Sequence, residues 1–347
     1  MWYLRNINTE HVYYLVSQPV GHTVGRAGTG LIITGDESIS RYHAMLWPIN
    51  NVLHLIDTGS KYGSYVNDNI AKNVRISKEQ ATALKPGDKI RFGLYKSIWL
   101  VEKVDFRCLT SMLFMDNGLK TILDQIGAEL VSTYTEGVTH LIMPPNIMHT
   151  KFLECLAGQV QIVSPEFFQT IARDCIVHGK ALPLEKDFTP AYTGPYMRYE
   201  PKLLHRNPSR SNLFTGKEFI FLSTVQFRHF ENVVKIAGGV CLCASDKKIL
   251  KSRFVEPNVI VIKLNSSSTT HPKSVETLSQ YLTSHRRRMV LEVEIEYALI
   301  FCSTEKFCNP DYNFLTSLAK STKQDTVKSG QEDSGGTSNG GNISKRS

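Results

Sequence analysis

The chain has 347 residues, 41% of them hydrophobic and 21% charged, which is too long for one ordinary domain and too apolar for a disordered chain. Its formal net charge of +8 includes no dense basic face, so phosphorylated or acidic targets suit it as well as nucleic acid does. No apolar run approaches the roughly 18–20 residues of a membrane span, and Met1–Asn6 lacks the apolar core of a secretory signal, so an intracellular chain is expected.

Residues 1–104 read as all-β. Short apolar segments (Leu31–Ile33, Met45–Trp47, Val52–Ile56) alternate with polar clusters, the pattern of strands joined by loops. Further strands are expected at Val74–Ile76, Lys89–Gly93 and Ser97–Val101, with Lys85-Pro86-Gly87-Asp88 as a hairpin-type corner. If the first and last strands pair, they close a sandwich, and loops from one end can then converge. Those loops carry Gly25-Arg26, then Ser40-Arg41-Tyr42-His43, then Ser60-Lys61-Tyr62-Gly63 leading to Asn67. An arginine fork, small hydroxyls and glycine-exposed amides are the donors that a phosphate requires. The plainer alternative is that Arg26 pairs with a carboxylate and Ser40 caps a turn.

From Phe106 the period changes to that of helices and strands in alternation. Leu119–Ile126 has helical spacing and stops at Gly127. Glu129–Val131 and Val138–Ile142 read as strands, Lys151–Ala157 as a helix, Val160–Val163 as a strand, and Ser164-Pro165 opens a last helix. This order predicts a small, largely parallel sheet. Residues 180–214, with five prolines, read as an irregular linker. A second copy follows: a strand at Lys217–Leu222, a helix at Val225–Ala237, strands at Val240–Cys243 and Asn258–Ile262, and a helix at Val275–His285. Leu291-x-Val293-x-Ile295 alternates and is expected to be extended. Residues 311–347 are rich in Ser, Gly and Lys and are expected to be disordered.

Gly25-Arg26, Ser40-Arg41-x-His43 and the Gly63–Asn67 segment together resemble the forkhead-associated (FHA) domain, a phosphothreonine reader. The resemblance implies that Arg26 and Ser40 hold the phosphate and that Arg41, Lys61, Tyr62, Gly63 and Asn67 complete the peptide site. Gly25 and His43 take structural roles. Many FHA domains have Asn before the glycine, where this chain has Tyr62, preceded by Lys61.

Gly127-Ala128, Thr139-His140-Leu141-Ile142 and the Pro165–Phe168 helix resemble the BRCT domain, with Phe167 or Phe168 in place of the family's usual tryptophan. Tandem BRCT repeats resemble phosphoserine readers. That implies a phosphate pocket from Thr110 or Ser111, between which the sequence does not choose, and Lys151. The expected fold class is therefore multidomain: an all-β FHA sandwich (1–104), then two α/β BRCT domains with small parallel sheets (106–179 and 215–310).

The order FHA–BRCT–BRCT resembles that of a non-enzymatic adaptor of DNA double-strand-break repair. It implies a nuclear, chromosome-associated protein that reads phosphorylated acidic protein motifs. A repair nuclease, its ATPase partner and a checkpoint kinase are the implied partners, with no membrane and only weak or indirect DNA contact. Alternatives are a direct DNA-binding scaffold and a regulatory module of another phospho-signalling protein. Arg286-Arg287-Arg288 is the one basic run, expected to be a solvated helix end or a weak DNA contact. His140 is read as a packed core residue. The seven cysteines lack zinc or redox spacing and read as reduced thiols. No nucleotide-binding loop or catalytic constellation is present, and no cofactor is implied.

Overall fold

Alternation of buried and half-buried residues in Trp2-Tyr3-Leu4-Arg5-Asn6 marks the first strand of a two-layer sandwich. The structure, a computed structural model, describes residues 1–110, 115–144, 150–193, 198–245, 249–265 and 273–312. The chain divides into two compact units, Met1–Ser211 and Asn212–Ser347.

The first unit opens with β1 (Trp2–Asn6), β2 (Val12–Leu15), β3 (His22–Gly25), β4 (Leu31–Ile32), β5 (Ala44–Ile49) and β6 (Val52–Asp57). It continues with β7 (Ser64–Val66), the short α1 (Asn69–Lys72), β8 (Thr82–Leu84), β9 (Lys89–Phe92) and β10 (Ile98–Lys103). One sheet has the order β2-β1-β10-β9-β7 and the other β4-β3-β5-β6-β8. β1 pairs antiparallel with β10 from Trp2↔Lys103 to Asn6↔Trp99, which ties the first strand to the last. Leu4, Leu46, Leu53, Leu55, Ile90 and Phe92 fill the space between the sheets.

Two expectations fail here. Val74–Ile76 is not a strand. α1 precedes it, held by Arg91, whose guanidinium donates to Asn73 Oδ1 at 2.7 Å and to the Ile70 carbonyl at 3.3 Å. Nor is Lys85–Asp88 a hairpin: β8 and β9 lie in different sheets, so the corner crosses between layers. A Pro-Gly turn reverses the chain either way, and its chemistry does not choose the sheet that receives the next strand.

After β10 come β11 (Arg107–Thr110), α2 (Asn117–Gln125), β12 (Glu129–Val131), β13 (His140–Ile142), α3 (Thr150–Ala157), β14 (Gln161–Val163) and α4 (Glu166–Thr170). All four strands are parallel, in the order β12-β11-β13-β14. Asp116 caps α2 by accepting the Leu119 amide at 2.6 Å. α4 runs on into a π-helical turn, Ile171–Ile176.

Phe106, Phe167 and Phe168 pack edge to face around His140, whose ring stacks on Phe167 at 5.7 Å. His140 is therefore a core residue, and burial lowers its pKa to about 4. Met1, Val12 and Tyr14 of the sandwich belong to this same core. The junction is bonded as well: the Val12 amide donates to the Gly179 carbonyl at 2.9 Å, the Ser17 amide to Gln125 at 2.7 Å, and the Tyr14 hydroxyl to Lys180 at 2.8 Å.

The proline-containing stretch holds a two-stranded ladder, β15 (Tyr192–Thr193) and β16 (Arg198–Tyr199), together with short 3₁₀ turns. Buried Arg210 donates to the Leu203 and His205 carbonyls there.

The second unit contains β17 (Glu218–Phe221), α5 (Thr224–Ile236), β18 (Val240–Cys243), β19 (Val259–Ile262), α6 (Lys273–Ser284) and α7 (Val293–Phe301). Among the described residues its sheet is β18-β17-β19, all parallel. Beyond β19, Val290 bridges Ile262.

Leu291–Ile295, expected to be extended, instead leads into α7. That helix is buried from Glu294 to Ile300, so alternation within it carries no information about period.

The basic run is also corrected. Arg287 is buried and donates to the backbone carbonyls of Val259 at 2.6 Å and Glu256 at 2.8 Å. Arg288 grips the fully buried Glu294 with both terminal nitrogens, at 2.6 and 2.7 Å. Only Arg286 remains exposed. Residues 313–347, expected to be disordered, lie outside the described residues.

Candidate functional site

Asp57, at the end of β6, organises one end of the sandwich. It is fully buried, and its carboxylate accepts four hydrogen bonds. Oδ1 takes the Gly59 and Ser60 amides at 3.1 and 2.8 Å, and Oδ2 takes the Ser60 and Ser64 hydroxyls at 2.8 Å each. Ser60 Oγ in turn accepts the Gly63 amide at 2.8 Å. The loop from 57 to 64 is thus rigid before any ligand arrives.

His43 joins this loop to the one before β5. The Ser40 amide donates to Nδ1 at 3.1 Å, so Nδ1 is the acceptor and Nε2 carries the proton. Nε2–H then donates to the Gly63 carbonyl at 3.1 Å. The ring is fully buried, and burial holds its pKa below the usual histidine range. It is a neutral brace between the two loops.

Gly25 has a steric reason to be glycine: a Cβ there would stand 1.9 Å from the Arg41 carbonyl oxygen. That close approach lets the Arg26 amide donate to the Ser40 carbonyl at 3.2 Å and sets Arg26 beside Ser40.

These constraints shape a groove lined by Arg26, Ser40, Lys61 and Tyr62, with Glu37, Ser38, Ile39 and Tyr95. The Lys61 amide donates to Ser40 Oγ at 3.1 Å, which leaves the serine proton to point elsewhere. Lys61 Nζ stands 5.1 Å from the Tyr62 ring centroid, a cation–π contact that keeps the ammonium at the groove. Arg26 and Lys61 form no ion pair with another described residue. Two cations and a hydroxyl proton, none with an ion-pair or acceptor partner among the described residues, line one hollow together with Glu37, and such donors suit a dianion such as a phosphate.

The other expected ligands stand differently. Arg41 is exposed and does not line the groove. Gly63 offers no backbone donor, because its amide is spent on Ser60; its part is to fix the loop. Asn67 also lies outside the groove lining. Its carboxamide donates to Asp88 Oδ1 at 2.9 Å and accepts the Lys89 amide at 2.9 Å, pinning the corner after β7. Arg75, absent from the sequence reading, donates to the Lys61 carbonyl at 3.3 Å and supports the loop from outside.

At the parallel sheet, Thr110 ends β11 opposite Ile142 and is buried, while Lys151 sits half-buried in the first turn of α3. Both lie at the carboxyl end of the strands, where open α/β sheets place their ligands. Ser111 lies outside the described residues.

The FHA domain family matches residues 22–93, and the family described as "Second BRCT domain on Nijmegen syndrome breakage protein" matches residues 208–310. This chain has the FHA–BRCT–BRCT architecture of the nibrin family. Nibrin of Danio rerio is 30% identical over 322 residues, which cover 89% of this chain and 38% of that protein. Nibrin of Gallus gallus is 29% identical over 308 residues, covering 83% of this chain and 40% of that protein. The chain thus spans about two fifths of the length of these nibrins. Among solved structures, the FHA-BRCT1-BRCT2 domains of S. pombe Nbs1 align over 94% of this chain and the whole of that one, with a TM-score of 0.56 at 13% identity. The S. pombe Nbs1-Ctp1 complex aligns at a TM-score of 0.54 and 13% identity, over 94% of this chain and 98% of that one. The fold is accordingly an FHA sandwich followed by two BRCT domains.

Proposed function

We propose that this chain is a non-enzymatic phosphopeptide-reading adaptor of the DNA double-strand-break response. The observation that carries this reading is the groove in which Arg26, Lys61 and the Ser40 hydroxyl meet without partners, among the described residues, for their charge or proton. It takes the phosphate of a phosphothreonine peptide. Arg41, exposed on the same loop, meets the flanking acidic residues of that peptide.

Similarity to nibrin supports a nuclear protein on chromosomes that recruits a repair nuclease and its ATPase partner to phosphorylated chromatin proteins and supports a checkpoint kinase. The Nbs1-Ctp1 complex supports the view that partners dock on this architecture. Thr110 or Ser111 with Lys151 forms a second phosphate pocket, and the bonded junction between sandwich and first BRCT domain keeps the two pockets at a fixed spacing. Direct DNA binding is the weaker reading, because Arg287 and Arg288 are spent on the fold.

The test is an array of peptides, unphosphorylated, singly phosphorylated and doubly phosphorylated with varied spacers, probed with the intact chain. Binding should require phosphothreonine. A matched double phosphate should gain about 10²-fold, and Lys151→Glu should remove that gain. Affinity indifferent to phosphorylation but steep in salt would favour the DNA scaffold instead.

A further inference from the structure

At the end of the sandwich away from the Arg26 groove lies a hollow of about 250 Å³, to which Ile126 and Gly127 of the first BRCT domain contribute. Strand direction fixes the separation. Arg26 follows the last residue of β3, whereas His22, the first, lines the hollow; Trp47 and Pro48 enter it from the late part of β5. Among the described residues no Asp, Glu, Lys or Arg lines it. The Met1 ammonium is taken by the Val104 carbonyl at 2.5 Å. His22 Nε2–H donates to the Val16 carbonyl at 2.9 Å and Nδ1 accepts the Tyr13 hydroxyl at 2.9 Å, while burial holds its pKa below the usual histidine range.

The rest of the wall is aromatic and aliphatic (Trp2, Trp47, Pro48, Leu15 and Val20), with the carboxamides of Gln18 and Asn51. Val20 is 67% exposed and Trp47 38% exposed, so carbon faces water there. The Trp2 indole N–H is buried and has no acceptor among the described residues, an arrangement that costs free energy until an acceptor arrives. The walls are held in place beforehand. The Ser17 amide donates to the Gln125 carbonyl at 2.7 Å, and Asn50 and Asn51, both at positive φ, make the two-residue turn between β5 and β6.

We propose that this hollow docks an uncharged, proline-rich extended segment of a partner protein, with one residue seated against Trp47 and Val20 and one carbonyl as the acceptor that the Trp2 N–H lacks. The chemistry of the wall chooses this occupant. With no cation in the lining, a phosphate or an acidic peptide finds no counter-charge, and a charged side chain would lose water without compensation. The volume falls below the roughly 300–1,000 Å³ of a small-molecule site, so the hollow takes one residue of a longer ligand. A helix brings its carbonyls already bonded, whereas a polyproline chain leaves every carbonyl free and lays its rings on aromatic faces. The site stands independently of the Arg26 groove, from which the six residues of β5 separate it by about 20 Å.

The probe is a library of unphosphorylated peptides with Pro-x-x-Pro fixed and all other positions randomised, selected on the full chain. Titration is followed by indole fluorescence, since two of the three tryptophans line the hollow. Selected peptides should shift that emission, and replacing their prolines by Asp should weaken binding by about ten-fold or more. Val20→Glu, which puts a charge on the wall, should abolish binding, and Trp47→Ala should weaken it by about ten-fold. Both side chains reach the surface, and melting curves check that each variant folds; phosphothreonine-peptide affinity should stay at the parent level in both. Failure to select any Pro-x-x-Pro peptide, or affinity that neither variant changes, overturns the site whatever the outcome at the Arg26 groove. Self-association of the chain that Val20→Glu abolishes would give the hollow to a second copy and overturn the peptide as its occupant.

Discussion

Ser40 and His43 are joined by a hydrogen bond of 3.1 Å from the serine amide to Nδ1, and that bond decides which imidazole nitrogen keeps its proton. The proton goes to Nε2 and from there to the Gly63 carbonyl, so one ring holds two loops of the groove. His43→Phe keeps the ring volume and removes both bonds. It should lower stability by on the order of 2 kcal/mol, the cost of stranding a buried polar group, and weaken phosphopeptide binding in parallel. Thermal melts and calorimetric titrations of the variant check both halves. A variant that melts normally and binds normally would deny His43 its bracing role.

Asp57 should matter more to the fold than any residue lining the groove. Asp57→Ala strands two amides and two hydroxyls that now share one buried carboxylate. A loss on the order of 3 kcal/mol or more is expected, because hydrogen bonds to charged groups are among the stronger ones. Chemical denaturation measures it.

Stability should fall on mild acidification. His140 in the folded chain has its pKa lowered to about 4 by burial, against about 6.5 when unfolded. Between those values the unfolded chain takes up a proton that the folded chain refuses. Stability is therefore full above about pH 6.5 and declines as pH falls toward 4. His140 alone contributes on the order of 3 kcal/mol to this decline, and burial shifts His22 and His43 in the same direction. Denaturation at stepped pH should show the slope, and His140→Phe should flatten it.

In the second unit, Arg288→Met leaves Glu294 charged, fully buried and without its guanidinium partner. A loss of about 3–5 kcal/mol is expected, since breaking a buried pair leaves an uncompensated charge. Arg286→Ala, at an exposed position, should leave the melting temperature close to that of the parent chain. Equal effects from the two substitutions would refute the inward assignment of Arg288.

Much of the fold is legible in the residues because local signals and the global fold agree. Gly127 and the Thr139–Ile142 run mark an element boundary and a buried strand by their own chemistry. Arg26, Ser40 and His43 are legible as a motif with fixed spacing. What escapes is decided by distant partners. Asp57 reads as a loop residue until four donors are seen to converge on it. Asn67 is spent on Asp88 and Lys89, contacts that a motif does not reveal. The Pro86-Gly87 corner crosses between sheets because β9 pairs with β10, a matter of topology rather than turn chemistry. Arg287 and Arg288 look solvated in sequence because nothing nearby shows that carbonyls and Glu294 wait for them.

The central claim, that Arg26 and Ser40 hold the phosphate of a phosphothreonine peptide, is tested most directly by calorimetric titration of one peptide in three settings. Those are phosphorylated with the parent chain, unphosphorylated with the parent chain, and phosphorylated with Arg26→Ala. The phosphorylated peptide should bind the parent chain and the unphosphorylated one should not. Arg26→Ala should lose about 2–5 kcal/mol of binding with an unchanged melting temperature, because the exposed arginine contributes to the ligand rather than the core. Equal binding of both peptides, or undiminished affinity in Arg26→Ala, would contradict the account.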